Sequence, residues 1–282
     1  MKIQTIGIVG AGLMGTGIAQ ECARAGFTVL LHDQNQAALD KGLGKIAASF
    51  AKLVEKNKLG MEEGDAAVKR VSAVADPQLL APCDYVIEAA TENFGIKQAI
   101  LGSLDRIVRE DAVIATNTSS VSITKLAASL RVPARLIGMH FFNPVHAMPL
   151  VEIIRGMETT DAAYSATGHL ANQLGKVAIR VRNSPGFVVN RILIPMINES
   201  ILALQEGLAT AEEIDDGMKL GANQPIGPLA LADLIGLDTV LAIMEVLQRD
   251  FNDPKYRPAL TLKEMVDAGY LGRKSGRGFY TY

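Results

Sequence analysis

Gly10-Ala11-Gly12-Leu13-Met14-Gly15 follows the apolar run at residues 3–9 directly and opens a helical stretch at residues 16–25. A strand, a glycine loop and a helix in that order are what a dinucleotide-binding fingerprint needs before it carries meaning. Gly10 makes the tight turn, Gly12 lets the backbone approach a pyrophosphate, and Gly15 lets the helix pack closely on its strand. Leu13 and Met14 contribute through the backbone at the helix N-terminus, where the dipole faces the anion. Asp33 ends the second strand-like run twenty-three residues after Gly10, where a carboxylate accepts hydrogen bonds from the adenosine ribose hydroxyls. The same charge repels a 2′-phosphate, and Gln34 and Asn35 offer no cation to hold one, so the cofactor expected is NAD rather than NADP. The alternative reading of Asp33 is a turn or helix-capping residue.

Beyond the loop, β-rich runs at residues 28–32, 85–88, 113–116, 136–140, 150–154 and 177–181 alternate with helical patterns, which implies parallel pairing through crossover helices. After residue 184 the runs at 188–208, 211–220, 229–247 and 260–268 all have helical spacing. The expected architecture is α/β: a Rossmann-type, mostly parallel sheet domain over residues 1–184, then an all-helical domain over residues 185–282. At the junction Ser184 is expected to cap a helix whose first turn holds Pro185, and Pro195 is expected to kink that helix.

The net charge of −2 gives no global attraction for nucleic acid or an anionic membrane, so an anionic ligand must meet a local cluster. The most apolar late stretch, 229–247, is interrupted by Asp233 and Asp238 and is too broken to span a bilayer. Cys22 and Cys83 lack metal or redox spacing and read as buried free thiols. The start of the chain lacks the pattern of a secretory signal, and the expected compartment is the cytoplasm.

Two segments carry chemistry. Thr116-Asn117-Thr118-Ser119-Ser120 follows a strand at the carboxyl edge of the sheet, where open α/β folds bind ligands; ordinary turn chemistry is the competing explanation. His140-Phe141-Phe142-Asn143-Pro144 ends another strand, and Glu152 lies in the middle of the next apolar run, where a carboxylate is costly unless paired. A strand, a turn at residues 143–149 and a return strand bring the two side chains within reach. Glu152 then fixes the imidazole tautomer and favours its cationic form, while the other ring nitrogen takes the proton of a substrate hydroxyl as hydride leaves for the nicotinamide. The histidines His32, His140, His146 and His169 show no ligand motif, and no metal site is assigned.

Taken together, the glycine loop, Asn117-Thr118-Ser119-Ser120, His140-Phe141-Phe142-Asn143-Pro144, Pro185-Gly186-Phe187-Val188-Val189-Asn190-Arg191, Pro225-Ile226-Gly227-Pro228 and Gly276-Arg277-Gly278-Phe279-Tyr280 resemble the 3-hydroxyacyl-CoA dehydrogenase family over essentially the whole chain. The nearest branch is the stand-alone bacterial 3-hydroxybutyryl-CoA group. The resemblance implies that His140 is the acid/base, Glu152 its partner, and Ser119 and Asn190 the groups holding the substrate oxygen. It implies cofactor contacts at Glu92, Lys97, Ser119, Asn143 and Lys274, and CoA contacts at Ser49 and Lys56. Those two are seven residues apart on a helical stretch at 37–58, on one face; a solvated basic helix is the alternative, since Lys41, Lys45, Lys52 and Lys58 lie there too. Two departures from the commoner pattern stand out, Leu13 in the glycine loop and Val145-His146-Ala147-Met148-Pro149 after the His140 segment; the second bears on acyl-chain preference.

The expected partner is an acyl-CoA thioester, and the expected assembly a homodimer through the second domain, because residues 229–247 are apolar around much of the helix. Two rivals stay open: a dehydrogenase of another substrate class, such as a β-hydroxyacid or polyol-phosphate enzyme, and a non-enzymatic relative that keeps the fold to bind NAD.

Overall fold

The computed structural model describes residues 2–282. Contacts divide the chain into two compact units, one ending at Asn183 and one beginning at Ser184.

The first unit is a sheet of eight strands in the order β3-β2-β1-β4-β5-β6-β7-β8, comprising β1 (Thr5–Val9), β2 (Thr28–His32), β3 (Val71–Val74), β4 (Tyr85–Glu88), β5 (Val113–Thr116), β6 (Leu136–Phe141), β7 (Leu150–Arg155) and β8 (Val177–Arg182). The pairings from β3 through β6 are parallel; β6 and β7 run antiparallel, and β8 follows β7 in parallel. Its helices are α1 (Leu13–Arg24), α2 (Gln36–Glu55), α3 (Met61–Lys69), α4 (Phe94–Ile107), α5 (Ile123–Ala127) and α6 (Asp161–Gln173). Apolar residues of the central strands are fully buried, among them Ile6, Ile8, Val29, Leu31, Ile87, Ala115, Ile137, Met139 and Val151. That is why these runs read as continuous hydrophobic stretches rather than as alternations. Each such Val, Ile or Leu contributes about 1.5–3 kcal/mol relative to exposure.

The mostly parallel sheet expected from the sequence is present, with two differences. Val71-Ser72-Ala73-Val74 is a strand that the sequence did not signal: two of its four residues are small, and its place comes from pairing with the edge of β2. The helical stretch at 37–58 ends earlier, at Glu55, because Asn57 takes a left-handed conformation with φ of 53°.

The second unit is helical, with α7 (Val189–Gln205), α8 (Ala211–Asp216), α9 (Pro228–Ile235), α10 (Leu237–Phe251) and α11 (Leu260–Asp267) around a core that includes Ile194, Ile197, Ile201, Leu229, Val240, Met244, Leu247 and Leu262. The run at 229–247 is two helices rather than one, since Gly236 lies between them at φ of 101°, which L side chains rarely adopt. Ser184 does not cap α7. Ser184 to Phe187 form a turn in which Phe187 N–H donates to the Ser184 carbonyl, Gly186 is left-handed, and the helix starts only at Val189. The terminal Gly276-Arg277-Gly278-Phe279-Tyr280 segment packs on Asp233: the N–H groups of Phe279 and Tyr280 donate to its carboxylate at 3.0 Å each, and a Cβ on Gly278 would stand 1.9 Å from Asp233 Oδ1. Among the described residues no helix is long and apolar enough to cross a membrane.

Candidate active site

The strand order reverses direction of growth between β1 and β4, so the loops leaving their carboxyl ends diverge and open a crevice. Gly10 closes the turn after β1 with φ of 106°, and its N–H donates to the His32 carbonyl at 2.7 Å. Any side chain here would run into the backbone of Ala89 and Ala90. A Cβ on Gly15 would stand 1.8 Å from the Gly10 carbonyl oxygen, so the contact between loop and helix requires hydrogen at this position. Gly12, by contrast, meets nothing within 4 Å. It also caps α1 with no side-chain acceptor, so the first-turn N–H groups face an open approach suited to phosphate oxygens.

A cavity of about 510 Å³ begins at this loop, lined by Val9, Gly10, His32, Asp33, Ala90 and Ile100 among others. Its partly apolar wall and single carboxylate match an adenosine. Asp33 Oδ2 accepts from Ala11 N–H at 2.8 Å, and Oδ1 accepts from Asn35 N–H at 2.9 Å. Asp33 therefore also fixes the glycine loop and the turn into α2, while Asn35 itself caps that helix. His32 Nδ1 lies 2.8 Å from the Val74 carbonyl and is held at the strand end.

At the ends of β4 and β5, Glu88, Lys97 and Thr116 form a closed cluster. Lys97 Nζ donates to Glu88 Oε2 at 2.8 Å and to Thr116 Oγ1 at 3.3 Å, and both charged side chains are fully buried. The ammonium of Lys97 is thus committed beneath the strand ends. Glu92 lies above, exposed, and gathers the next loop: it accepts from Thr118 Oγ1 at 2.6 Å, Ser119 N–H at 2.6 Å and Ser119 Oγ at 2.8 Å. Asn117 Oδ1 accepts from Phe141 N–H at 2.9 Å and ties this loop to the end of β6. The sequence marks Asn117 and Thr118 only as members of a segment, without a role for either, and does not mark Glu88; a run of Thr, Asn and Ser does not reveal which side chains turn inward.

His140 and Glu152 face each other directly across the β6–β7 pairing, and His140 Nδ1 is 2.7 Å from Glu152 Oε2. Side chains of directly opposed residues project to the same face, so register rather than loop conformation sets this distance. Their side chains are 8% and 0% exposed. Phe142 packs on the imidazole with ring centroids 4.5 Å apart. Asn143 is exposed at the start of the loop joining the two strands.

The remaining candidate residues are spread more widely. Ser49 is half-buried on α2, and Lys56 is exposed at the C-cap of that helix. Lys41, Lys45, Lys52 and Lys58 are exposed as well, so the basic stretch is solvated as it stands. In the second unit, Asn190 lies in the first turn of α7, and Lys274 pairs with Asp238 of α10 at 2.6 Å.

Two family models match: the 3-hydroxyacyl-CoA dehydrogenase NAD binding domain over residues 5–184, and the 3-hydroxyacyl-CoA dehydrogenase C-terminal domain over residues 186–282. A probable 3-hydroxybutyryl-CoA dehydrogenase of Deinococcus radiodurans is 51% identical, with 98% of this chain and 99% of that protein covered. The 3-hydroxybutyryl-CoA dehydrogenase of Bradyrhizobium diazoefficiens is 47% identical, over 99% and 96%. Among solved structures, the (S)-3-hydroxybutyryl-CoA dehydrogenase of Ralstonia eutropha superposes with a TM-score of 0.97 at 58% identity, covering 100% of this chain and 99% of that one.

Proposed function

Since the chain belongs to the 3-hydroxyacyl-CoA dehydrogenase family, we propose that it interconverts (S)-3-hydroxybutanoyl-CoA and acetoacetyl-CoA with NAD, using His140 and Glu152 as the acid/base pair. The observation that carries the mechanism is the 2.7 Å contact between His140 Nδ1 and Glu152 Oε2 inside the sheet. With Nδ1–H donated to the carboxylate, Nε2 is the nitrogen that takes the proton of the 3-hydroxyl in oxidation and returns it in reduction. The fixed negative charge beside the ring offsets the imidazolium that forms as the proton arrives. When bound, NAD supplies the hydride acceptor.

Ser119 and Asn190 hold the substrate oxygen; a hydroxyl and an amide can each serve both alcohol and ketone. Ser119 Oγ donates to Glu92 at 2.8 Å; in that orientation its lone pairs accept from the substrate alcohol, and to donate to the ketone the hydroxyl turns away from Glu92. Asp33 takes the adenosine ribose hydroxyls, and the glycine loop with Leu13 and Met14 takes the pyrophosphate. Glu92, Asn143 and Lys274 are the further cofactor contacts of this reading; Lys97, buried on Glu88, acts by holding the strand ends. Ser49 and Lys56 receive the CoA moiety. The enzyme works in the cytoplasm as a homodimer formed through the second unit, a reading supported by the exposure of Ile192, Leu208, Leu220, Leu234 and Leu260 there. A concentration-independent monomer in gel filtration would remove the dimer from this account.

The deciding experiment follows NADH oxidation with acetoacetyl-CoA, in parallel with NADPH and with free acetoacetate. Turnover that requires both NADH and the thioester supports the reaction and substrate class together. A folded protein that binds NADH but turns over neither acetoacetyl-CoA nor longer 3-oxoacyl thioesters would overturn the proposal.

A further inference from the structure

Lys176 stands in the short turn between α6 and β8, only 6% exposed. Its ammonium donates to two backbone carbonyls of the loop joining β6 to β7, that of Val145 at 2.5 Å and that of Met148 at 3.0 Å. It also lies 3.7 Å from Glu21 Oε2 on α1. The same carboxylate oxygen accepts from Arg24 at 2.7 Å, while Glu21 Oε1 is buried with no hydrogen-bond partner among the described residues. Val145, 3% exposed, presses on α1 at Gly17, where an added Cβ would come within 2.9 Å of Val145 Cγ2.

A buried ammonium is a costly way to satisfy two carbonyls, and burial pulls the Lys176 pKa below its ordinary range, with Glu21 opposing that pull. What this side chain does that a neutral donor does not is bridge two elements: the loop that carries Asn143, and the helix that begins at the glycine loop. The loop's other backbone bonds run from Ala147 and Met148 N–H to the Pro144 carbonyl and, at its far end, from Val177 N–H to the Pro149 carbonyl at 2.7 Å, and none of them reaches α1. His140 and Glu152 do not depend on the bridge, because their distance is set by the strand register.

We propose that Lys176 is a positioning residue for the cofactor: it clamps the loop at residues 142–149 onto α1 and thereby sets where Asn143 stands relative to the dinucleotide. The proposal rests on the reading of Asn143 as a cofactor contact, and it places the effect of Lys176 on NADH binding rather than on proton transfer.

Lys176→Met keeps the bulk and removes the donors; Lys176→Arg restores charge and donors. Loss of a hydrogen-bonded clamp corresponds to about a tenfold change in affinity, so Lys176→Met is expected to raise the KM and the Kd for NADH about tenfold with kcat within about threefold of the parent, and Lys176→Arg to recover most of the loss. Asn143→Ala is expected to show the same KM increase, and the double variant no further one. A purely structural lysine would lower the melting temperature without moving these constants at a temperature where the variant is folded. KM and Kd within about twofold of the parent in folded Lys176→Met, or in Asn143→Ala, would overturn the proposal. Should Lys176→Met fail to fold, Glu21→Gln decides instead: a KM for NADH raised at least about threefold supports the bridge, and an unchanged one overturns it. Failure of the proposed reaction is seen separately, as absence of turnover in the parent protein, and NADH titration of the variants still reads the clamp in that case.

Discussion

Replacing Glu152 by Gln takes one negative charge out of a pair that is closed from solvent on both sides, with side-chain exposures of 8% and 0%. The amide is nearly isosteric, and its oxygen can still accept from Nδ1–H, so the tautomer and the position of the ring are retained. What is lost is the charge that offsets the imidazolium as the substrate proton reaches Nε2. A hydrogen bond to a charged group contributes about 1.5–3 kcal/mol, and tenfold in rate corresponds to about 1.36 kcal/mol. The expected fall in kcat is therefore about 10- to 150-fold. In the oxidation direction the lost charge acts as the proton moves onto the ring, so the loss belongs in kcat and not in the affinity for the dinucleotide. Turnover is read from the appearance of NADH absorbance with (S)-3-hydroxybutanoyl-CoA and NAD, affinity from NADH fluorescence, and stability from circular dichroism. A kcat within about twofold of the parent would refute the reasoning, and so would an equal fall in kcat together with a lost melting transition.

Three other outcomes follow from the geometry. Gly15→Ala places a methyl against the Gly10 carbonyl; NADH affinity should fall at least about tenfold, a loss of about 1.4 kcal/mol, and an unchanged fluorescence titration would contradict the fit argued for the loop. Lys97→Met strands the buried carboxylate of Glu88 and should cost about 3–5 kcal/mol in urea unfolding. A stability loss below about 1 kcal/mol with weakened NADH binding would assign Lys97 to the cofactor directly. Burial raises the thiol of Cys83 to about 12, with Asp84 adding to the rise and Arg109 opposing it, and raises that of Cys22 further, again with burial as the main cause. Neither should react with a thiol reagent at neutral pH until denaturant is added, as a colorimetric thiol titration would show.

Much of this was legible in the sequence because it was written locally. The glycine loop, the carboxylate at Asp33 and the buried-strand runs each state their structure in a few neighbouring residues. The pairing of His140 with Glu152 could be read at a distance because a carboxylate in an apolar strand demands a partner. What could not be read depends on distant contacts. Val71 to Val74 becomes a strand only because β2 offers an edge, and Gly236 breaks a continuous helical pattern through a backbone angle that glycine permits but does not announce. Lys176 is silent for the same reason, since nothing near it in the sequence says that its ammonium reaches carbonyls twenty-eight and thirty-one residues earlier. The chain's place in its family, expected from the motifs, is borne out by matches across both halves of the chain.

The antiparallel step at β7 gives the site an unusual tolerance. His140 and Glu152, the proposed acid/base pair, lie on one rung of one ladder, so the segment between them can change length and composition without separating the pair, provided that the ladder re-forms in register. A slip of a single residue would instead turn one of the two side chains to the opposite face of the sheet and abolish the pair outright. Apart from Asn143 and Val145, the side chains at residues 143–149 can therefore change while the distance between His140 and Glu152 is kept by the main-chain hydrogen bonds of the ladder.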